Sequence, residues 1–265
     1  MCIRDRPNSN QKIQENFKNE HIPNAVLFDI KQASDQNAKF PNMLPDKATF
    51  ESYVSSLGIS NDDILIVYGY NGMVLGPARV WWMFKIFGHH NICVLDGGLP
   101  YWKSCKLPTT TEVSKNIKST VFKANQHDIA DIATLEQVKQ ISKEHTYSII
   151  DARPKVRFNG TAPEPRDDMR SGHIPNSINL PCSLLVAENG TLKSEHDIRK
   201  LFSNLNIELA HPDNQIVTTC GSGITACTRA LALYYIGHKN TVIYDGSWSE
   251  WGHTDSNTEI TTLHS

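Results

Sequence analysis

Two stretches of the chain carry the same landmarks in the same order, which confines it to folds that one domain-sized unit can form twice. His21-Ile22-Pro23-Asn24-Ala25 is matched by His173-Ile174-Pro175-Asn176-Ser177. From each histidine, 43 residues lead to a β-branched run, Ile64-Leu65-Ile66-Val67 or Ile216-Val217. A loop and a helical stretch follow, ending in Gly88-His89 or Gly237-His238. Eight residues beyond that glycine comes Asp96-Gly97 or Asp245-Gly246, and six beyond the aspartate stands Trp102 or Trp251. A repeat of this length is a domain, not a solenoid unit.

Within each half, short apolar runs alternate with amphipathic stretches. Residues 46–57, 77–87, 194–205 and 225–236 carry apolar side chains at three- and four-residue spacing and are expected as helices. Pro77 suits a first helical turn. Strands alternating with helices predict an α/β fold, each half a mainly parallel sheet with helices on both faces. The expected boundaries are a first domain over 1–104, a Lys-, Thr- and Ser-rich linker over 105–127 and a second domain over 128–265.

The second half holds more than the first. A helical stretch over 134–141 and an apolar strand over 147–151 precede His173, whereas their counterparts before His21 would fall ahead of residue 1. Residues 1–6 make a poor strand. The first domain is therefore expected to be incomplete at its N-terminus, with a smaller sheet than the second.

Composition narrows the function. The 265 residues are 39% hydrophobic and 20% charged with a net charge of −2, which favours neither a nucleic acid nor an anionic membrane as partner. The apolar stretch 80–87 is too short to span a bilayer and contains Lys85. Residues 1–20 are polar, without the apolar core of a secretory signal. Cysteines 2, 93, 105, 182, 220 and 227 lack metal-ligand spacing, so neither zinc nor an iron–sulfur cluster is expected. Few, unpatterned cysteines point to a reducing compartment, here taken as the cytoplasm with mitochondria left open.

One cysteine stands apart. In Val217-Thr218-Thr219-Cys220-Gly221-Ser222-Gly223-Ile224-Thr225-Ala226-Cys227, a β-branched run ends in Cys220, two glycines flank Ser222, and a helix follows. Glycines let the backbone turn sharply and gather N–H groups, and the helix start adds partial positive charge. Both stabilise negative charge on sulfur, so Cys220 is the candidate nucleophile. It also falls at the carboxyl end of a strand, where sites in such sheets lie. Cys227, about two helical turns on, reads as a packed helix residue. The first half has Tyr68-Gly69-Tyr70-Asn71-Gly72-Met73-Val74-Leu75-Gly76 at this place, longer and without cysteine.

A strand, cysteine loop and helix in the second of two duplicated α/β halves resembles the rhodanese family of sulfurtransferases. The resemblance runs from about His21 to Trp251. It is carried by the paired His-Ile-Pro-Asn motifs, Arg79-Val80-Trp81-Trp82-Met83-Phe84, Leu95-Asp96-Gly97-Gly98, Asp151-Ala152-Arg153 and Asp245-Gly246-Ser247-Trp248. The neutral loop Cys220 to Thr225 is similar to that of the 3-mercaptopyruvate branch, whereas thiosulfate-specific members carry basic residues there. The resemblance implies that Cys220 takes sulfur from 3-mercaptopyruvate as a persulfide, releases pyruvate and passes the sulfur to a thiol. That acceptor would be a small thiol or a thioredoxin-like protein, and no metal or organic cofactor is implied.

Residue by residue, the resemblance implies a persulfide cradle from Gly221, Ser222, Gly223, Ile224 and Thr225. Arg157 and Arg166 would bind the substrate carboxylate and carbonyl, the alternative being surface pairing with Glu164, Asp167 or Asp168. Ser222 would pass a proton, or else only bond backbone. His21 would complete a Ser–His–Asp relay, although His173 in the same motif suggests that His-Ile-Pro fixes a turn. The relay aspartate, expected about ten residues before His21, is absent from Asn8-Ser9-Asn10-Gln11-Lys12, which leaves Asp5. Alternative functions are a thiosulfate sulfurtransferase and a non-catalytic sulfur carrier. A cysteine phosphatase needs arginine as the sixth residue after the nucleophile, and here that residue is Ala226.

Overall fold

A computed structural model describes residues 2–3, 10–113, 117–125, 131–209 and 214–263; Asp5, Asn8 and Ser9 lie outside them. The chain divides into two units, the first made of residues 1–38, 44–128 and 187–192, the second of 39–43, 129–186 and 193–265.

The first unit contains β1 (Cys2–Ile3), α1 (Asn10–Asn19), β2 (Leu27–Phe28), α2 (Lys47–Ser56), β3 (Leu65–Gly69), α3 (Leu75–Ile86), β4 (Ile92–Val94) and α4 (Gly98–Ser104). Its sheet has the order β2-β1-β3-β4, every pairing parallel. Asp46 starts α2 by accepting the Thr49 N–H at 2.7 Å, satisfying a donor that has no partner within the helix. The described parts of the stretch expected as a linker, residues 105–113 and 117–125, cluster with this unit. Thr110 pairs with His21 as an antiparallel bridge, and the buried Phe122 ring lies 5.9 Å from both Phe50 and Phe84. Lysines, serines and threonines set its average polarity, but one phenylalanine decides where it packs.

The second unit contains β5 (Ile132–Ala133), α5 (Leu135–Glu144), β6 (Ser148–Asp151), α6 (Lys155–Phe158), β7 (Ile178–Asn179), a 3-10 turn at Cys182–Leu185, α7 (Glu195–Ser203), β8 (Ile216–Thr219), α8 (Ile224–Tyr235), β9 (Thr241–Tyr244) and α9 (Ser247–Trp251). Its parallel sheet runs β5-β9-β8-β6-β7. A Thr134–Gln137 capping box opens α5, and Ser194 caps α7. Both units thus follow the α/β expectation, and among the described residues the first sheet has four strands and the second five. One detail differs: Cys2–Ile3 does form a short strand, between β2 and β3, as β6 lies between β7 and β8.

What the first unit lacks, among the described residues, is a counterpart of β5 and α5. The consequence lies on one sheet face. In the second unit, α5 sets Val138 into a core with Ile149, Val217 and Val242, with Leu135 and Ile141 packed against it. The cross-strand pair Val217–Val242 corresponds by register to Ile66–Cys93. There Ile66 is 51% exposed and Cys93 is exposed. No helix among the described residues is long and apolar enough to cross a membrane.

Candidate active site

β8 is buried along its whole length and ends at Thr219, delivering Cys220 to the carboxyl edge of the sheet. The chain then turns through Gly221, Ser222 and Gly223 into α8. Gly223 takes φ +77° as the residue before that helix, a left-handed conformation that disfavours a residue with a Cβ.

α9 holds the loop in place. The Trp248 N–H donates to the Cys220 carbonyl at 2.9 Å, and the Gly221 carbonyl accepts both the Ser249 N–H at 2.9 Å and the Ser249 hydroxyl at 2.6 Å. In a trans peptide, C=O and N–H point in opposite directions. With these carbonyls turned to α9, the Gly221 and Ser222 N–H groups face away from it. Among the described residues, the N–H groups of Gly221, Ser222, Ile224 and Thr225 meet no acceptor. Such a set of oriented donors accommodates an anion.

Cys220 is 2% exposed, but its immediate neighbours are polar. The Cys220 N–H donates to the Ser247 hydroxyl oxygen at 3.2 Å, and the same hydroxyl stands 4.0 Å from Sγ. Ser247 adopts φ +50°, a conformation rare for a residue with a side chain. Ser222 instead accepts a hydrogen bond from the Asn42 side-chain amide at 3.1 Å. Asn42 belongs to the segment 39–43 that clusters with the second unit. Neither Ser247 nor Asn42 is marked by local sequence pattern. The usable hint for Ser247 is its place after Asp245-Gly246, where the repeat has Gly98.

The two candidate arginines approach the loop differently. Arg157, on α6, has Nη2 3.5 Å from where a Cβ on Gly221 would stand. It also pairs with the buried Glu164 through Nε at 3.2 Å and through Nη2, so the alternative expected from sequence holds together with the position beside the loop. Glu164 is shared with Arg153, whose Nη1 donates to it at 3.0 Å. Arg153 further binds Asp151 through Nε and Nη2 and stacks on Trp248 at 4.0 Å. These charges are buried and mutually satisfied, an arrangement that fixes Arg157 firmly. Arg166 donates to the Ser249 hydroxyl at 2.8 Å, and that hydroxyl is the one anchoring Gly221.

His21, implied by the resemblance as a relay member, has its printed contacts within its own unit. It belongs to the first unit, stacks on Phe17 with ring centroids 4.0 Å apart, and has Nδ1 2.6 Å from the Phe17 carbonyl and Nε2 3.2 Å from that of Glu112. His173 repeats the arrangement, stacked on Phe158 at 3.8 Å with Nδ1 2.7 Å from its carbonyl. Each histidine also forms a backbone bridge, to Thr110 or Thr261. Two copies of one motif doing the same thing, only one of them in the unit with the cysteine, make the ring a clamp for the turn. Both ring nitrogens face backbone carbonyls, so the neutral ring donates to one of them and sets its lone pair against the other.

Cys227 is buried in α8 with its thiol against the Gly223 carbonyl at 3.2 Å, as expected of a packed helix residue. No three His, Cys, Asp or Glu side chains among the described residues converge as a metal site.

Comparison with known proteins gives one consistent picture. A family model described as a rhodanese-like domain matches the chain twice, over residues 8–105 and 134–254. The 3-mercaptopyruvate sulfurtransferase of Homo sapiens is 39% identical over 246 residues, 92% of this chain and 81% of that protein. A thiosulfate sulfurtransferase of Cricetulus griseus is 40% identical over 247 residues, again 92% of this chain and 81% of that protein. Among solved structures, the 3-mercaptopyruvate sulfotransferase SseA of Escherichia coli superposes with a TM-score of 0.82 at 35% identity, covering 94% of this chain and 92% of that one.

Proposed function

From the premise that this chain belongs to the rhodanese family, as two tandem copies of its domain, we propose that it is a sulfurtransferase acting through a persulfide on Cys220. The Cys220 thiolate attacks the thiol sulfur of 3-mercaptopyruvate. An S–S bond forms, the substrate's C–S bond breaks, and its electron pair passes to the three-carbon fragment, which takes up a proton to become pyruvate. A thiolate acceptor then attacks the outer sulfur, and Cys220 leaves as a thiolate. The acceptor is a small thiol or a thioredoxin-like protein in a compartment that keeps thiols reduced.

The observation that carries this reading is the loop with its carbonyls tied to α9 and four N–H groups left without acceptors. Those donors suit the negative charge of a thiolate or of a terminal persulfide sulfur. Ser247 holds the Cys220 N–H through its hydroxyl oxygen, while its own hydrogen goes to the Tyr244 carbonyl at 2.8 Å. Asn42 donates to Ser222 and so leaves the Ser222 hydrogen free to be given to the departing enolate, the hydroxyl being restored by the proton that the substrate's thiol brought to the outer sulfur. An amide cannot take that proton onward, so Asn42 positions Ser222 without relaying. Arg157 and Arg166 receive the carboxylate and carbonyl, planar groups that guanidinium matches.

Thiosulfate is the second donor considered, because relatives of both names share the same degree of identity with the chain. The neutral Gly-Ser-Gly loop favours 3-mercaptopyruvate. Turnover measured with both donors and a thiol acceptor, on this chain and on Cys220→Ser, tests the assignment. Pyruvate should form with the unaltered chain and stop with the serine variant; equal product from both would remove Cys220 as nucleophile.

A further inference from the structure

Of the arginines around Cys220, two have no carboxylate partner among the described residues, Arg166 and Arg229, and only Arg229 is fully buried. Asp151 and Glu164 are matched by Arg153 and Arg157. Arg229, on α8, is a third guanidinium and is 0% exposed. Its Nη1 donates to the Ile150 carbonyl at 2.9 Å and its Nη2 to that of Leu180, both neutral, and Nε has no partner among the described residues. Ile150 pairs in register with Thr218, two residues before Cys220, and Leu180 lies two residues before Cys182. The groups whose charge reaches Arg229 are Asp151, Cys182 and Cys220. Burial lowers its pKa to about 10, so it is a cation at neutral pH.

A buried cation held only by carbonyls is costly unless an anion answers it. Asp151 is already bound by Arg153 through two nitrogens. Burial pushes the Cys182 thiol up, which keeps it protonated near neutral pH. We propose that Arg229 is a positioning residue whose buried charge is answered by the anion on Cys220, thiolate at rest and persulfide once sulfur is loaded. The inference rests on Cys220 being the nucleophile. The other groups around Cys220 are Arg157 from α6, Asp151 from β6, Cys182 from the 3-10 turn, the uncharged Ser247 from α9, and Arg166 acting through Ser249. None of these cations is as deeply buried beside so few carboxylates.

The rate of iodoacetamide labelling at Cys220, followed by peptide mass spectrometry across pH, reads this directly because only the thiolate reacts. In Arg229→Met, labelling at pH 7 should fall about ten-fold, equivalent to about 1.4 kcal/mol, and recover as pH is raised; Arg229→Lys should restore most of it. kcat/KM should fall in parallel. Arg229→Gln removes charge while keeping a donor, and carries the test if the methionine variant does not fold by circular dichroism. A folded Met or Gln variant with the original labelling profile overturns the inference. So does a Cys182→Ser background in which Arg229→Met no longer matters, since the charge would then serve Cys182. Turnover surviving in Cys220→Ser would instead overturn the nucleophile assignment, whatever the labelling shows.

Discussion

The turn Asp96-Gly97-Gly98 in the first unit and the turn Asp245-Gly246-Ser247 in the second occupy the same place after β4 and β9. Gly98 has φ +53° and Ser247 φ +50°. For glycine this backbone is free of strain, whereas for serine it costs on the order of 1–3 kcal/mol. The first unit has no cysteine in its loop and carries the relaxed residue. The second places a hydroxyl 4.0 Å from Cys220 Sγ and accepts the strain. The duplicated scaffold thus serves as an internal control: the position where the copies diverge against conformational preference is the one beside Cys220, the proposed nucleophile.

Exchanging the two residues breaks or sharpens that comparison. A Cβ on Gly98 would collide with the Gly69 carbonyl oxygen and lie 3.1 Å from the Gly72 Cα. Gly98→Ala should therefore destabilise the first unit by about 2–4 kcal/mol, read as faster amide exchange in its peptides. Ser247→Gly should relax the second unit by up to about 1 kcal/mol while kcat/KM falls roughly ten-fold, because the Cys220 N–H loses its acceptor and the loop is held less firmly. Unchanged turnover in Ser247→Gly would mean that the strain serves packing.

A smaller contrast concerns the sheet face that α5 covers in one unit only. Val217→Ala should cost about 2 kcal/mol because the cavity lies inside a packed core, while Ile66→Ala should cost less than about 0.5 kcal/mol at its exposed site. Amide exchange in β8 and β3 measures each separately. Equal losses would show Ile66 to be as well packed as Val217.

Acid should affect both units modestly and by the same cause. Burial lowers the pKa of His89 in the first unit and of His173 in the second below the ordinary 6.5. The unfolded chain then binds more protons than the folded one as pH falls through that value. Stability contributed by these neutral rings is intact above about pH 6.5 and is lost progressively below it. Thermal melts between pH 8 and 5 should slope less in His173→Gln than in the unaltered chain; parallel slopes would remove His173 from the account.

The readable part of this molecule was local. Helix starts at Asp46, Thr134 and Ser194 combine a capping residue with a 3.6-residue apolar period, and the chain obeys both. Cys220 could be found because strand, turn and helix signals adjoin it. The rest depended on contacts between distant positions. Asn42 meets Ser222 across 180 residues and Ser247 meets Cys220 across 27, distances at which periodicity carries no information. Arg229 sits on the inner side of a helix where an apolar residue would be expected, and nothing in its neighbours' identities announces a buried charge. For His21 and His173 the duplication is the guide: a residue present in both copies serves what both copies share, here a ring stacked on phenylalanine at a turn.

The anchoring of two successive peptide units to α9 has a consequence for repeated use. A side chain that is loaded and unloaded with a sulfur atom at every cycle changes size and charge distribution twice per turnover. If its surroundings had to rearrange each time, that rearrangement would be part of every barrier. Here the Trp248 and Ser249 contacts hold the far ends of the amides, so their near ends keep their aim whether the cysteine is bare or extended. On the proposed function, the cradle is set once, when the chain folds, and each new sulfur would arrive at a seat already shaped for it.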